Sequence, residues 1–223
     1  MSLPFTTEQF LDIFRQYNTS IWPMQVVLTA LAVVMFAIAL AVRAWSGRFV
    51  ALGLAAQWTW TGIVYHWMFF ARINPGARVF GALWLAGALA FAWSSFGKRR
   101  LSFRADAPWR LALGGTLIVY ALVVYPILGH YGGRAYPFGP TYGAPCPVTI
   151  VTFGLLWLAR PRLPRYLLAA PVIWAAIGSA AAFSLGVHED LGLLAAGVSG
   201  VVLAFLQSPQ AKAPRAGTPA AGM

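Results

Sequence analysis

Seven apolar runs follow one another along this chain, and the single charged residue inside them is Arg78, at the start of the third run. A helix of about 20 apolar residues crosses the hydrocarbon core of a bilayer, and five of the runs reach that length. The pattern therefore predicts an all-α fold, a polytopic transmembrane helical bundle with seven spans. The runs are residues 22–42, 49–70, 77–96, 111–128, 148–159, 166–185 and 191–206.

The composition agrees with lipid as the solvent of this chain. Hydrophobic residues make up 60% of its 223 residues and charged residues 9%, whereas a soluble domain usually carries about a quarter charged residues. The net charge of +11 does not indicate a nucleic-acid partner, because the basic residues stand in short loops between the apolar runs. We expect the lipid bilayer as the partner and no nucleic acid.

The basic residues also predict the orientation of the bundle. Seven spans with the N-terminus outside place twelve Lys and Arg residues on the cytoplasmic side and four outside, as the positive-inside rule requires. If the fifth run re-entered the membrane without crossing it, Arg160, Arg162 and Arg165 would move outside and weaken this bias. We therefore expect the C-terminus inside. The twelve cytoplasmic residues are Arg43, Arg48, Lys98, Arg99, Arg100, Arg104, Arg110, Arg160, Arg162, Arg165, Lys212 and Arg215.

The chain divides into three predicted parts. Residues 1–21 predict an amphipathic helix in the membrane interface, with Thr6 and Gln9 in a capping box, and a flexible tail is the alternative. Residues 22–207 form the seven-helix domain, in which the short fifth run spans only if Pro145 and Pro147 belong to its first turn. Residues 208–223 are rich in Pro, Ala and Gly, which predicts a disordered cytoplasmic tail.

Small residues recur every four positions in the sixth and seventh runs. Such faces let two helices approach closely in lipid. We expect these helices to pack as a tight pair, and they are also where a homo-oligomer or a larger membrane complex would form. The residues are Gly178, Ala182 and Gly186 in the sixth run, and Gly192, Ala196 and Gly200 in the seventh.

The second run is the most polar of the seven. Gln57, Thr61 and Tyr65 are spaced by four residues and share one face of a helix, with His66 beside it. Lipid cannot satisfy such a face, so it points into the bundle. It forms either a seam of hydrogen bonds between helices or part of a substrate cavity. Asn74 and Tyr125, near the same end of the bundle, are further candidates for that cavity.

All three histidines and the only cysteine fall at the predicted outer face. They are His66, His130, Cys146 and His188, and imidazole and thiolate are the usual ligands of transition metals. None of them has a local metal-binding spacing, so a metal site would have to be assembled across helices. The alternative is that these polar residues stand at helix ends because lipid excludes them.

The connection between the fourth and fifth runs, residues 129–147, is unusually rich in Gly, Pro and aromatic residues. We expect it to fold back over the outer mouth of the bundle as a lid or a re-entrant plug. The alternative is an ordered loop that is packed for stability alone.

Three segments resemble a family of small bacterial multi-pass membrane proteins of unknown function. These segments read PFTTEQF (4–10), YHWMFFARINPGA (65–77) and GHYGGRAYPFGPTYGAPCPVTIVTFGLL (129–156). The resemblance implies the bacterial inner membrane. It also marks His66, Asn74, His130, Pro145 and Cys146 as positions to test.

These features favour a permease for a small molecule or an ion such as a metal cation, or an accessory subunit of one, with its site at the outer face. A metal-assisted membrane enzyme using His66, His130 and His188 is one alternative. A structural or sensory partner without turnover is another. An enzyme is the less expected class of protein, because the apolar runs lack the clustered acids of membrane hydrolases that use three histidines.

Overall fold

The computed structural model describes residues 4–96, 101–104, 107–160 and 163–206. Within these ranges the chain forms eight helices, so the all-α prediction is confirmed for the described residues. One 3₁₀ turn, His188–Asp190, precedes the last helix. The helices are α1 Thr7–Ser20, α2 Met24–Ala41, α3 Ser46–Trp60 with its continuation to Arg72, α4 Ala77–Phe96, α5 Pro108–Val119 with its continuation to Tyr131, α6 Pro145–Leu158, α7 Tyr166–Leu185 and α8 Leu191–Leu206.

Helices α2 to α8 correspond one by one to the seven apolar runs. Five of them are long and apolar enough to cross a membrane, whereas α6 has 14 residues and the regular α-helical part of α3 has 15. The five are Met24–Ala41, Ala77–Phe96, Pro108–Tyr131, Tyr166–Leu185 and His188–Leu206.

The shortest of the seven helices, α6, lies at the centre of the bundle. Every residue from Pro145 to Leu158 is buried except Cys146, which is partly exposed. Pro145 stands in its first turn, which was the condition for a spanning fifth run. A proline costs no helical hydrogen bond there, because the amide groups of the first turn have no partner within the helix. Because its neighbours cover α6 on all sides, apolar residues occur on every face of this helix, and the usual amphipathic pattern is absent.

The two ends of the bundle carry different segments. We call the end that carries α1 the outer end, and the opposite one the inner end. At the inner end Ala159, just after α6, pairs with Phe103, and the Arg160 amide donates to the Ser102 carbonyl oxygen at 2.7 Å. At the outer end the Gly143 carbonyl oxygen, just before α6, accepts from the Tyr17 hydroxyl. Helix α6 therefore runs from one end of the bundle to the other.

Several arginines predicted to be cytoplasmic lie in or beside the connections at the inner end. The described ones are Arg43, Arg48, Arg104, Arg110, Arg160 and Arg165. The remaining basic residues predicted for that side, and the predicted tail 208–223, lie outside the described residues.

Helix α1 begins with the predicted capping box. The Gln9 amide donates to the Thr6 hydroxyl, and the Thr6 amide donates to the Gln9 side chain. The apolar side of α1 packs on the bundle through Phe14 and Tyr17, whose rings contact Tyr65 of α3.

Helices α3 and α5 each widen into π-helical turns, over Thr61–Phe69 and Tyr120–Val124. In α5 the cause is Pro126, because a proline ring collides with the carbonyl group four residues earlier and a wider turn relieves the collision. In α3 the Thr61 hydroxyl bonds the Gln57 carbonyl oxygen at 3.0 Å, a contact that often bends helices.

The small residues of α7 and α8 serve two kinds of contact. Gly178 of α7 accommodates Leu193 of α8, as expected for a close pair. Gly192 and Gly200 of α8 instead accommodate the rings of Tyr120 on α5 and Phe153 on α6. The expected close pair of α7 and α8 is therefore present, and α8 also receives aromatic rings from two other helices. A homo-oligomer through these helices stays a prediction.

Candidate functional site

A cavity of about 560 Å³ lies at the outer end of the bundle, beneath α1. Helices α3, α4 and α7 and the start of α6 form its walls, and Ala180 and Ser184 of α7 are the exposed members of its lining. Most of its surface is apolar, and seven aromatic rings besides that of Tyr125 contribute to it. These are Phe5, Phe10, Phe14, Tyr65, Phe70, Phe80 and Trp174.

One polar cluster interrupts this apolar lining. The Tyr125 hydroxyl donates to Oδ1 of Asp190 at 2.6 Å, and Cys146 lines the same part of the cavity. All three side chains line the cavity, and Tyr125 and Asp190 are buried. Both π-helical stretches border this cavity, because Tyr65 lies within one of them and Tyr125 directly follows the other.

The neighbouring acid, Glu189, has a different partner. Its carboxylate forms an ion pair with Arg134, in which Nε donates to Oε1 at 2.9 Å. The hydrogen bond to Glu189 raises the pKa of Arg134 above its ordinary value, so the guanidinium stays charged. Arg134 therefore pairs with Glu189. Asp190 forms no ion pair among the described residues.

The predicted polar face of the second run is divided between two tasks. Gln57 accepts a hydrogen bond from the Tyr142 hydroxyl at 2.8 Å and donates one to the Leu28 carbonyl oxygen. Thr61 donates to the Gly143 carbonyl oxygen at 3.2 Å. Gln57 and Thr61 thus form a seam of hydrogen bonds, and neither lines the outer cavity.

Three other predicted residues do line the cavity, namely Tyr65, Asn74 and Tyr125. Asn74 also stabilises the turn between α3 and α4, because its Oδ1 accepts from the Gly76 amide at 3.0 Å. The structure therefore brings half of the six predicted cavity residues together around one space.

His66 lies behind the cavity wall, fully buried among aromatic rings. Its ring centroid is 4.9 Å from that of Trp174 and 5.8 Å from that of Trp84. Neither ring nitrogen has a hydrogen-bond partner among the described residues. Burial of unpaired polar atoms costs free energy, so this arrangement is unusual for a residue that serves only to pack.

The four predicted metal ligands do not form one ligand set. His66 is enclosed by aromatic rings, His130 and His188 are exposed, and Cys146 lies in the cavity lining. Among the described residues, no group of three or more His, Cys, Asp and Glu side chains is placed to hold a metal ion. The three histidines lie in different surroundings. Their positions in the sequence predict a location near one end of the bundle, but not which groups surround each side chain.

The connection between α5 and α6 folds over the outer end, and its role as a lid or plug stays a prediction. Asn18 of α1 donates to the carbonyl oxygens of Pro137 and Gly139 and accepts from Thr141. Tyr142 reaches into the bundle as far as Gln57, and burial raises the pKa of this phenol, so it remains a donor. Pro140 and Ala144 of this connection line the cavity.

The carboxylate at the centre of the cluster was not among the residues predicted for the site. This carboxylate belongs to Asp190, in the turn directly before α8. The informative signal was the placement of an acid directly before an apolar helix, because such a residue at a bundle end needs a buried partner. The aromatic residues of α1 were assigned to the membrane interface, although they also roof the cavity.

The helices and the cavity define an all-helical protein with five candidate membrane-spanning helices and a ligand-sized space at one end. The chain belongs to DUF6064, a family of unknown function, whose model matches residues 7–215. No curated protein matches the chain, and no solved structure matches it either.

Proposed function

We propose that this chain is a seven-span protein of the bacterial inner membrane that binds a small amphipathic organic cation in its outer cavity. It acts as a permease for that cation or as the binding subunit of one. One observation carries the proposal: an aromatic cavity contains a buried carboxylate, Asp190, that forms no ion pair among the described residues.

The chemistry of the lining suits an organic cation. Aromatic faces attract an ammonium group through their quadrupole, and the attraction grows when water is excluded. Asp190 supplies the opposite charge, and the hydrogen bond from Tyr125 orients its carboxylate. The remaining surface, mostly alanine and phenylalanine, suits an apolar body, and 560 Å³ falls in the range of small-molecule sites.

A bare metal cation suits this cavity less well. Such an ion needs several oxygen, nitrogen or sulfur ligands at once. Asp190 and Cys146 are the acid and thiol that line the space, and aromatic carbon surrounds them. An organic cation needs only one carboxylate and several rings, which this cavity provides.

The packing of the helices supports seven spans. Helix α6 connects the outer end to the inner end although it is short. Helix α3 does so as well, since Gly47 near its start contacts Leu101 and Arg72 at its end donates to Gln16 of α1. The six described arginines at the inner end agree with a cytoplasmic location of that end.

Equilibrium dialysis of benzyltrimethylammonium against the protein in nanodiscs tests the proposed binding. We expect one bound cation per chain, with weaker binding of neopentylbenzene, the neutral molecule of the same shape. Asp190→Asn keeps the shape of the site and removes its charge, so the affinity should fall at least about tenfold, equivalent to about 1.4 kcal/mol.

The matched control is Asp12→Asn, which removes an exposed carboxylate from α1 at the same end of the bundle. This variant should bind benzyltrimethylammonium as the wild type does. Equal affinity of Asp190→Asn and the wild type, or no binding by the wild type, would contradict the proposal.

A further inference from the structure

A second depression, of about 440 Å³, lies between α2 and α5 at the outer half of the bundle. We call it the lateral groove. Val26 and Ala30 on its α2 side are exposed, so the groove opens on the surface that faces lipid in a spanning bundle. Farther inward the two helices meet, because Phe36 of α2 lies beside Gly115 of α5.

The lateral groove and the outer cavity share one wall. Tyr125 and Pro140 line both spaces. At the start of α6, Cys146 faces the cavity and Pro147 faces the groove. A molecule in the groove is therefore separated from the cavity by the Tyr125 ring and Pro140.

The groove also contains a polar atom without a partner. Gln25 lines the groove and is buried; its Nε2 donates to the Asn18 carbonyl oxygen at 2.7 Å, while its Oε1 has no partner among the described residues. A buried amide oxygen of this kind favours a hydrogen-bond donor or a positive charge, because leaving it unpaired costs free energy. The rest of the groove is mostly apolar, through Val26, Ala30 and Leu122.

We infer that the organic cation reaches the outer cavity from the lipid, sideways through the lateral groove, and that Tyr125 is the gate between the two spaces. This inference rests on the proposed function. An amphipathic cation concentrates at the membrane interface with its apolar body among the acyl chains. In the groove its body would contact Val26 and Ala30, and its charged group would approach the Gln25 amide oxygen.

The gate is coupled to the ligand by its own hydrogen bond. The Tyr125 ring is held in place by the bond from its hydroxyl to Asp190. Asp190 is also the group that would receive the cation. A cation that approaches Asp190 competes for the carboxylate and weakens the bond that keeps the gate closed.

Cys146, the only cysteine of the chain, is a built-in reporter of access to the cavity. Protein in nanodiscs is treated with N-hexadecylmaleimide dissolved in the lipid, or with 2-(trimethylammonio)ethyl methanethiosulfonate added in the water. Intact-mass spectrometry then follows the modification of Cys146 with time. Ala30→Trp fills the lateral groove, and we expect it to slow the lipid-borne reagent about tenfold, while the water-borne reagent changes by less than about twofold.

The control is Ala37→Trp, an exposed position on the same face of α2, two turns farther from the outer end. It should leave both rates unchanged. Tyr125→Ala removes the gate and should speed the lipid-borne reagent about tenfold. A midpoint of thermal unfolding equal to that of the wild type shows that Ala30→Trp is folded.

The lateral route is wrong if Ala30→Trp leaves the lipid-borne rate unchanged, or if only the water-borne reagent modifies Cys146. It is also wrong if neither reagent modifies the folded protein. In each of these cases the dialysis experiment still decides the proposed function separately, because it measures equilibrium binding and not the route of access.

Discussion

The Tyr125 hydroxyl donates a hydrogen bond of 2.6 Å to Oδ1 of Asp190, which joins α5 to the start of α8 across 65 residues of sequence. Both side chains are buried at the wall of the outer cavity. This bond fixes the one carboxylate of the cavity and the ring that separates the cavity from the lateral groove.

Removal of this hydroxyl should destabilise the protein. A hydrogen bond to a charged group contributes about 1.5–3 kcal/mol, and one between neutral groups about 0.5–1.5 kcal/mol. We expect Tyr125→Phe to lower the free energy of unfolding by about 1.5–3 kcal/mol, measured by denaturant unfolding in detergent. Tyr120→Phe is the control, because the Tyr120 hydroxyl donates to the neutral Glu189 carbonyl oxygen and is half-buried. Equal losses in the two variants would show that the Asp190 carboxylate does not strengthen the bond.

The ion pair between Arg134 and Glu189 should respond unequally to loss of either partner. The Glu189 side chain is fully buried, whereas that of Arg134 is 13% exposed. Arg134→Met leaves a buried carboxylate unpaired and should cost about 3–5 kcal/mol, and Glu189→Gln should cost less. The double variant should regain part of the loss in a double-mutant cycle of unfolding free energies. Additive losses would contradict a direct pairing.

The same pair predicts how stability depends on pH. A pKa that folding raises gives stability that is present below the pKa of the unfolded chain and lost as the pH rises through the folded value. Because the hydrogen bond to Glu189 raises the pKa of Arg134, this contribution should persist from neutral pH to about pH 9. A wild-type stability that falls over this range, without the same fall in Arg134→Met, would contradict it.

His66 should be replaceable by phenylalanine without loss of stability. Its two ring nitrogens have no partner among the described residues, and an apolar ring of similar shape removes that cost. We expect His66→Phe to raise the free energy of unfolding by about 1–3 kcal/mol. The comparison variant is Thr152→Val, which takes the acceptor away from the buried Trp58 Nε1 and should lower stability. A strongly destabilised His66→Phe would show that the imidazole forms a bond to the protein.

Asn18 should hold the connection between α5 and α6 in place. Its side chain makes three hydrogen bonds to this segment, and it is fully buried. Asn18→Ala should therefore speed amide hydrogen exchange in residues 134–143, while α6 keeps its protection. Thr19→Ala, at an exposed position that bonds only α1 itself, is the matched control. Equal exchange in Asn18→Ala and Thr19→Ala would mean that other contacts secure the segment.

The sequence predicts much of this fold because lipid imposes simple rules. Each apolar run became a helix, since a backbone that lipid surrounds must satisfy its own hydrogen bonds. The π-helical stretch before Pro126 could not be predicted, because the proline indicates a distortion but not its form. The central position of α6 could not be predicted either. A short apolar run is marginal as a membrane-spanning helix, and only the enclosure of α6 by neighbouring helices explains its apolar composition.

The candidate site was only half predictable for a related reason. Tyr65, Asn74 and Tyr125 were selected as polar residues near one end of the bundle, and they do line one cavity. Gln57 and Thr61 were selected by the same rule, yet they bind the connection before α6. The distinction depends on which long-range segment fills the space beside each residue, and local spacing does not encode it. Asp190 gains its role from Tyr125, which is distant in sequence.

The most direct test of the central claim is a crystal structure of the protein with (4-bromobenzyl)trimethylammonium, using the anomalous signal of bromine to locate the ligand. We predict one bromine peak inside the outer cavity, near Trp174, with the ammonium group beside Asp190. A bromine peak elsewhere, or a cavity without bromine at a saturating concentration, would contradict an organic-cation site.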